Sequence, residues 1–262
     1  MNPKTEEFLY LLMWSADMLM RPTFSNLNGS FESWAYRNGL GQQLARLEHR
    51  RLIERDPGGP DDRLYRLTAA GRLHALGGRD PEERWARPWD GQWRLVLFDV
   101  PMNRNAERER LRRYLRGRGF GFVQNSVWIT PDPLVEERRL LAEGKINVES
   151  LLLLEARPCA GEPDSEIVQG AWDFARINEG YARNQRMLKE RPKVPPHHPE
   201  TARIWLRWAA RERAAWLEAV GADPLLPRQI LPSDYLGRTV WHERMKVLRE
   251  AGLGLRVFGA EG

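Results

Sequence analysis

The sequence predicts an α+β protein in which three domains follow one another along a chain of 262 residues. Three observations indicate this organisation. A pattern of helices followed by a β-hairpin occupies residues 1–80, a βαββαβ order of elements occupies 93–157, and helical periodicity dominates 165–262. Segments containing proline separate these regions, and a chain of this length is able to bury more than one core.

The composition is that of a globular protein, with 42% hydrophobic and 29% charged residues. No apolar run approaches the roughly 18 residues that cross a membrane, and the first 20 residues lack the basic leader of a signal peptide. Cys159 is the single cysteine, which excludes intrachain disulfides and thiolate metal clusters. We therefore expect a cytoplasmic protein that does not enter a membrane.

The net charge of +5 permits a polyanionic partner. Of the 41 basic residues only five are lysines. One interpretation is a coding bias toward GC-rich codons. The other is functional, because guanidinium groups bind phosphates and guanine edges in a bidentate manner. Both interpretations stay open at this point.

The N-terminal region contains a helical pattern over about 5–20, a short helix around 33–37 and a third helix beginning near Leu40. Leu40, Leu44 and Leu47 fall on one face of the third helix. A polar face lies opposite. The candidate DNA-binding residues on this face and at its edges are Asn38, Gln42, Gln43, Arg46, His49 and Arg50.

A strand, a glycine-rich turn and a second strand follow over residues 52–68, and Thr68 is placed to cap the next helix. Helices followed by a hairpin are the order of a winged helix-turn-helix. In such a domain glutamine and arginine side chains of the polar face read base edges. Arg63 and Arg66 on the hairpin would contact phosphates. The alternative is a small α+β unit whose polar face is merely solvated.

The central region has the order of a ferredoxin-like split βαββαβ unit. Its predicted elements are strand 93–98, helix 104–117, strands 120–123 and 126–130, helix 133–142 and strand 150–156. Residues 104–118 carry seven arginines against two glutamates. This charge is either a solvated helix face or a second patch facing nucleic acid. We expect Leu111, Tyr114 and Leu115 to pack against the sheet.

Asp99 ends the first central strand, where a carboxylate either holds a metal ion or shapes the turn that follows. No second acidic residue stands at a spacing that would complete a metal site. His197 and His198 lie among prolines without carboxylates at ligand spacing. We therefore predict neither a catalytic residue nor a metal, and we expect no cofactor.

The sequence pattern of the C-terminal third predicts helices over 165–189, 202–219 and 236–248, with several aromatic residues on their apolar faces. The simplest role of these aromatics is a core. An effector pocket is the sharper alternative, because apolar walls with a few polar groups suit an aromatic ligand or a coenzyme A thioester.

Three segments resemble the PaaX family of phenylacetate-pathway transcriptional repressors. WDGQWRLVLFDVP and GFGFVQNSVWITP are similar to its central domain. DPLLPRQILPSDYLG is similar to its C-terminal motif, with Tyr235 where a tryptophan is usual. The resemblance implies a one-component repressor with a DNA-binding winged helix, a central domain similar to a small CRISPR-associated nuclease, and a C-terminal domain that senses a ligand such as phenylacetyl-coenzyme A.

Together these observations predict a homodimeric regulator that binds double-stranded DNA and responds to an acyl-coenzyme A or aromatic effector. Two alternatives remain at the level of sequence. One is a metal-dependent nuclease that uses Asp99 of the central domain. The other is a subunit of a nucleic-acid defence complex that uses the same fold to dock.

Overall fold

The computed structural model describes residues 40–55, 65–100, 104–142, 150–159, 163–194 and 199–258. The helices predicted over 5–20 and 33–37, and the pair His197 and His198, lie outside these ranges. No helix in the described part of the chain is long and apolar enough to cross a membrane. The described residues contain helices, a four-stranded antiparallel sheet and a two-stranded hairpin, which make the protein an α+β structure, as predicted.

The elements are numbered here in chain order. They are α1 (Leu40–His49), β1 (Ile53–Arg55), β2 (Tyr65–Leu67), α2 (Ala69–Ala75), α3 (Pro81–Ala86), β3 (Trp93–Asp99), α4 (Asn105–Gly117), β4 (Gly121–Gln124), β5 (Val127–Thr130), α5 (Val135–Ala142), β6 (Ser150–Ala156), α6 (Asp164–Ala171), α7 (Phe174–Lys189), α8 (Pro199–Ala222), a 3₁₀ turn (Arg228–Ile230) and α9 (Gly237–Phe258).

The described residues fall into two compact units. The terminal unit comprises the described residues up to Asp80, together with Gly180–Ala219 and the described residues from Leu236 onward. The central unit comprises Pro81–Glu179 and Val220–Tyr235. The division into three domains at 1–80, 93–157 and 165–262 stays a prediction.

The central unit is built on a four-stranded sheet in the order β4-β5-β3-β6, with every neighbouring pair antiparallel. Val96 in the middle strand lies opposite Trp128 on one side and Leu153 on the other. Leu111 and Leu115 of α4 pack onto this face and complete the core. The six predicted elements therefore exist, and their bounds lie within two residues of the predictions.

The C-terminal motif is held inside the central unit by a buried chain of hydrogen bonds. The Tyr235 hydroxyl donates to Asp223 Oδ2 and accepts from Trp85 Nε1 at 3.1 Å. Asp223 Oδ1 also accepts from the backbone N–H of Leu225 at 2.8 Å. A tyrosine hydroxyl both donates and accepts, whereas an indole N–H only donates. Tyr235 therefore bridges two partners that a tryptophan at this position could not bridge.

Asp132, which follows β5, binds two arginines of the segment 84–87. Its carboxylate lies 2.7 Å from Arg84 Nη2 and 2.6 Å from Arg87 Nε. Arg87 also donates to the backbone carbonyl of Leu225. Burial raises the pKa of Asp132, but the hydrogen bonds and charges of Arg87 and Arg84 outweigh it, so the pKa is lowered. The cluster thus joins three segments of the central unit.

We expect Asp132→Asn to destabilise the central unit by about 1–3 kcal/mol at neutral pH, because two charge-assisted contacts are lost. Since the folded pKa is lowered, this contribution is complete above the ordinary pKa of an aspartate. It is lost as the pH falls through the folded pKa. Urea unfolding should therefore show a difference in the free energy of unfolding between wild type and variant that becomes smaller below about pH 4. Exposed Asp99→Asn is the control, and an unchanging difference would contradict the assignment.

The terminal unit has a charged pair inside its helical core. Arg244 of α9 and Glu212 of α8 are completely buried, with Arg244 Nε 2.7 Å from Glu212 Oε1. The guanidinium lies 4.6 Å from the ring centroid of Trp216, and Asn184 Nδ2 donates to Glu212 Oε1 at 3.2 Å. Burial raises the pKa of Glu212, and the charge of Arg244 opposes this effect.

Two segments differ from the sequence predictions. The helix predicted over 165–189 is broken at Trp172, whose backbone is extended and whose indole donates to the Gly119 carbonyl at 3.1 Å. Asp173 then accepts from the Arg176 N–H at 3.0 Å and begins α7. The segment 79–92 is one of the proline-containing segments expected to separate the predicted domains. It contains α3, in which Trp85 is buried.

Candidate nucleic-acid interface

Helix α1 has the two faces that its sequence predicts. Leu47 is completely buried and Leu44 is half-buried, so the leucine side points into the terminal unit. Four of the candidate DNA-binding residues are exposed: Gln42, Arg46, His49 and Arg50. At 3.6 residues per turn these four lie along one side of the helix. The helix therefore presents amide, guanidinium and imidazole groups together on its outer surface.

The end of α1 is closed by a tight backbone turn. The Leu52 N–H donates to the Leu47 carbonyl at 3.0 Å, and the Arg51 N–H donates to the Glu48 carbonyl at 2.8 Å. Arg51 has a φ of 56°, in the left-handed region that usually follows a helix end. This turn reverses the chain and leads it directly into the hairpin.

The hairpin pairs β1 with β2 in an antiparallel register that places Ile53 opposite Leu67. Thr68 fixes the hairpin to both helices. Its hydroxyl donates to the Arg51 carbonyl at 2.7 Å and accepts from the Gly71 N–H at 3.0 Å. The predicted cap of α2 is thus confirmed. The same side chain also ties α2 to the turn that ends α1, so the polar face and the hairpin are positioned together.

The remaining predicted site residues are only partly described. Asn38 and Arg63 lie outside the described residues. The backbones of Gln43 and Arg66 belong to α1 and β2, while their side chains lie outside the described part, and Arg66 is paired in register with Glu54. Arg51 was not among the predicted residues, although it is exposed directly after Arg50. The run of basic residues at the helix end was the available signal for it.

Asp99, the alternative catalytic residue, is exposed and lies opposite Ser150 on the neighbouring strand. Helix α4 begins after Arg104, which is its N-cap, so Asp99 does not cap that helix. Within the described ranges, no three histidine, cysteine, aspartate or glutamate side chains are grouped so that they could hold a metal ion.

Most aromatic residues of the C-terminal helices form a core rather than line an opening. Trp216 and Tyr181 are completely buried, with ring centroids 5.9 Å apart, and Trp216 also lies 5.3 Å from Trp241. An open cleft of about 560 Å³ lies in the central unit, bordered by Phe122 and Trp172. Its charged lining residues are Asp173 and Asp234.

The comparisons with known proteins concern the central unit and the fold. Residues 86–168 match the family model described as the PaaX protein central Cas2-like domain. No curated protein matches the sequence. A solved structure, described as the uncharacterized protein Rv0674 from Mycobacterium tuberculosis, is similar with a TM-score of 0.52, 21% identity and 97% coverage of both chains. At this identity the likeness concerns the fold alone. The family match covers residues 86–168, about a third of the chain, and indicates a central domain similar to that of PaaX proteins.

Proposed function

We propose that this protein is a dimeric, sequence-specific DNA-binding transcriptional regulator that acts as a ligand-responsive repressor. The observation that carries the proposal is the exposed face of α1, with Gln42, Arg46, His49 and Arg50 above a completely buried Leu47. The similarity of residues 86–168 to the central domain of PaaX proteins, together with the resemblance of the sequence to that family of transcriptional repressors, supports it. The protein would act in the cytoplasm and would not be an enzyme.

The chemistry of the α1 face suits the major groove of DNA. A glutamine amide forms paired hydrogen bonds with adenine, and a guanidinium does so with guanine. We propose that Gln42, Arg46 and His49 read bases, while Asn38, Gln43 and Arg50 lie at the edge of the contact. The hairpin β1–β2 would be the wing of a winged helix-turn-helix, with Arg63 and Arg66 on phosphates. The Thr68 hydrogen bonds would hold helix and wing in one geometry.

The strand order of the central sheet supports a ferredoxin-like arrangement and offers a surface for the dimer. One face of the sheet is packed against helices. On the other, Leu152 and Leu154 of β6 are 57% and 45% exposed, beside half-buried Leu95 and Leu97. An exposed apolar patch of this kind is typical of a protein contact. We propose that two copies of the chain bury it against each other.

The effector would be an aromatic compound or its coenzyme A thioester. The cleft beside Trp172 combines aromatic walls with the carboxylates Asp173 and Asp234. Carboxylates repel the phosphates of coenzyme A. This cleft therefore favours an uncharged or cationic aromatic compound over the thioester.

The central test is a binding titration with DNA. Fragments would be selected from a random-sequence duplex library with the full-length protein and then titrated at several salt concentrations. We expect Arg46→Ala to lose about 1–3 kcal/mol of discrimination between selected and unrelated sequences, because a base contact is removed. Arg63→Ala should weaken binding to all DNA sequences alike and lower the salt dependence of the affinity, because a phosphate contact is removed.

Arg72→Ala is the matched control, since Arg72 is an exposed arginine of α2 outside the polar face of α1. It should leave both affinity and discrimination nearly unchanged. Nuclease footprinting should reveal two half-sites about one helical turn apart, as expected of a two-fold dimer. If Arg46→Ala and Arg72→Ala behave alike, α1 is not the recognition helix. Mg²⁺-dependent cleavage of the DNA that disappears in Asp99→Asn would favour the nuclease instead.

A further inference from the structure

The outer face of α4 carries a basic patch that the recognition helix does not explain. We define this patch by Arg110, Arg113 and Arg116. We propose that it is a second DNA contact, which binds the phosphate backbone of the duplex next to the operator. The inference rests on the proposed function, because it assigns a second surface to the same DNA partner.

The charge of α4 is local and is opposite in sign to its surroundings. Residues 81–179 contain fifteen basic and seventeen acidic side chains. The fifteen residues 104–118 account for seven of the basic and only two of the acidic ones. The rest of this segment is therefore strongly acidic. A general enrichment in arginine would not place so much of the positive charge on one helix, whereas a surface that meets a polyanion requires it.

The three arginines lie on the side of α4 opposite its buried leucines. Leu111 and Leu115 face the sheet, so positions 110, 113 and 116 lie on the outer half of the helix, with all three side chains exposed. Consecutive members are three residues apart, and at 1.5 Å per residue the patch extends about 9 Å along the helix. Charges spaced in this way can contact successive phosphates of one strand.

The contacts of these arginines leave their charge available. Arg113 Nε donates to a backbone carbonyl of α4, that of Glu109, at 3.4 Å. Arg116 lies 5.6 Å from the ring centroid of Trp128, which orients the guanidinium without neutralising it. Within the described ranges none of the three arginines forms an ion pair with a carboxylate.

The nearby carboxylates already have other partners. Glu109 is 3.1 Å from Arg112, and Glu107 is 3.7 Å from Arg104. On the neighbouring helix α5, Glu136 is 2.6 Å from Arg139. In these pairs other arginines neutralise the nearby carboxylates, so the net charge at the patch stays positive.

A row of three exposed arginines suits the regular row of phosphates along duplex DNA. Duplex DNA carries one negative charge per about 1.7 Å of its axis, and each phosphate that an arginine neutralises releases a counterion. Three such contacts raise the salt dependence of binding by about 2.7 units in the logarithmic slope. A duplex flank longer than the operator supplies the phosphates without requiring any particular sequence.

The test compares two DNA lengths and a triple variant. The selected operator is prepared as a minimal duplex and as a duplex extended by about 16 bp, one and a half turns, on each side. Wild-type protein should bind the long duplex at least about tenfold more tightly and with a steeper salt slope. The variant Arg110→Gln, Arg113→Gln, Arg116→Gln should lose this advantage and still bind the minimal duplex as the wild type does.

The control variant Arg176→Gln, Arg186→Gln, Arg228→Gln removes the same charge from exposed positions elsewhere. It should keep most of the advantage of the long duplex. If the α4 variant also keeps it, the inference is wrong while the proposed function stands. If the wild type prefers no sequence, the proposed function fails. In that case the salt dependence of binding to an unrelated long duplex is compared between the wild type and the α4 variant. Equal slopes for the two proteins would overturn the inference.

Capture of an acidic protein surface is the competing use of the patch. In that case the α4 variant would bind both duplexes with wild-type affinity and wild-type salt slope. Thermal unfolding of the two triple variants should match that of the wild type, because all six side chains are exposed. A loss of DNA affinity is then attributable to charge rather than to unfolding.

Discussion

Arg244→Met is expected to destabilise the terminal unit by about 3–5 kcal/mol, because it removes the buried guanidinium that pairs with the buried Glu212 carboxylate. Both side chains are completely inaccessible to solvent, and 2.7 Å separates Arg244 Nε from Glu212 Oε1. Burial already raises the pKa of Glu212 while Arg244 opposes the rise. In the variant the carboxyl group should therefore take up a proton more readily on folding. Urea unfolding followed by helical circular dichroism measures the loss.

Two further variants separate the buried charge from simple loss of packing. Arg244→Met combined with Glu212→Leu should recover much of the lost stability, since an apolar pair of similar volume often replaces a buried ion pair. Arg183→Met is the matched surface control, because Arg183 and Glu218 lie 2.8 Å apart but are 51% and 68% exposed. It should change the stability by less than about 1 kcal/mol. Equal losses in Arg183→Met and Arg244→Met would contradict the role of burial.

Gly71→Ala is expected to lower the free energy of unfolding by about 3 kcal/mol or more. Under the proposed function it is also expected to abolish DNA binding. A methyl group at this position would lie 1.8 Å from the backbone carbonyl oxygen of Leu52. Backbone atoms cannot rotate away as a side chain can, so α2 must move relative to the hairpin. That movement breaks the Thr68 hydrogen bonds that join the end of α1 to α2.

Thermal unfolding and DNA titration of Gly71→Ala measure the two parts of this prediction. Gly170→Ala is the control, because a methyl group on Gly170 of α6 would meet no atom within 4 Å. Replacing a helical glycine by alanine in open space should raise the free energy of unfolding by up to about 1 kcal/mol. A Gly71→Ala protein with wild-type stability would show that a methyl group at this position does not collide with the Leu52 carbonyl.

The regular elements of the central unit could be predicted from sequence because each has a strong local signal. The strand over 93–99 contains the apolar run 95–98, and α4 has leucines at helical spacing. The break at Trp172 could not be predicted in this way. Trp172 has its indole hydrogen-bonded to the Gly119 carbonyl and its ring near Trp93, and both partners are distant in sequence. These contacts override a helical pattern that continues through residue 172.

The two faces of α1 and the cap at Thr68 were predictable to a similar degree. The polar face of α1 follows from the spacing of its leucines, and Thr68 is recognisable as a cap from its position before an alanine-rich turn. The second role of the Thr68 hydroxyl, as a donor to the Arg51 carbonyl, depends on the turn after α1 bringing that carbonyl close. The availability of the α4 arginines likewise depends on which carboxylates pair with other arginines.

By itself, the sequence determined the helical and strand periods, the leucine side of α1, the cap at Thr68 and the concentration of arginine on α4, because these depend on residues within a few positions of one another. The tertiary structure alone decided that Arg244 and Glu212 are buried together, that Gly71 admits no side chain, and that Arg110 stays exposed. The physical reason is desolvation and excluded volume. Both are set by atoms that are close in space but far apart in the chain. The helical sequence around an arginine does not indicate whether its side chain is exposed to water or paired with a buried glutamate.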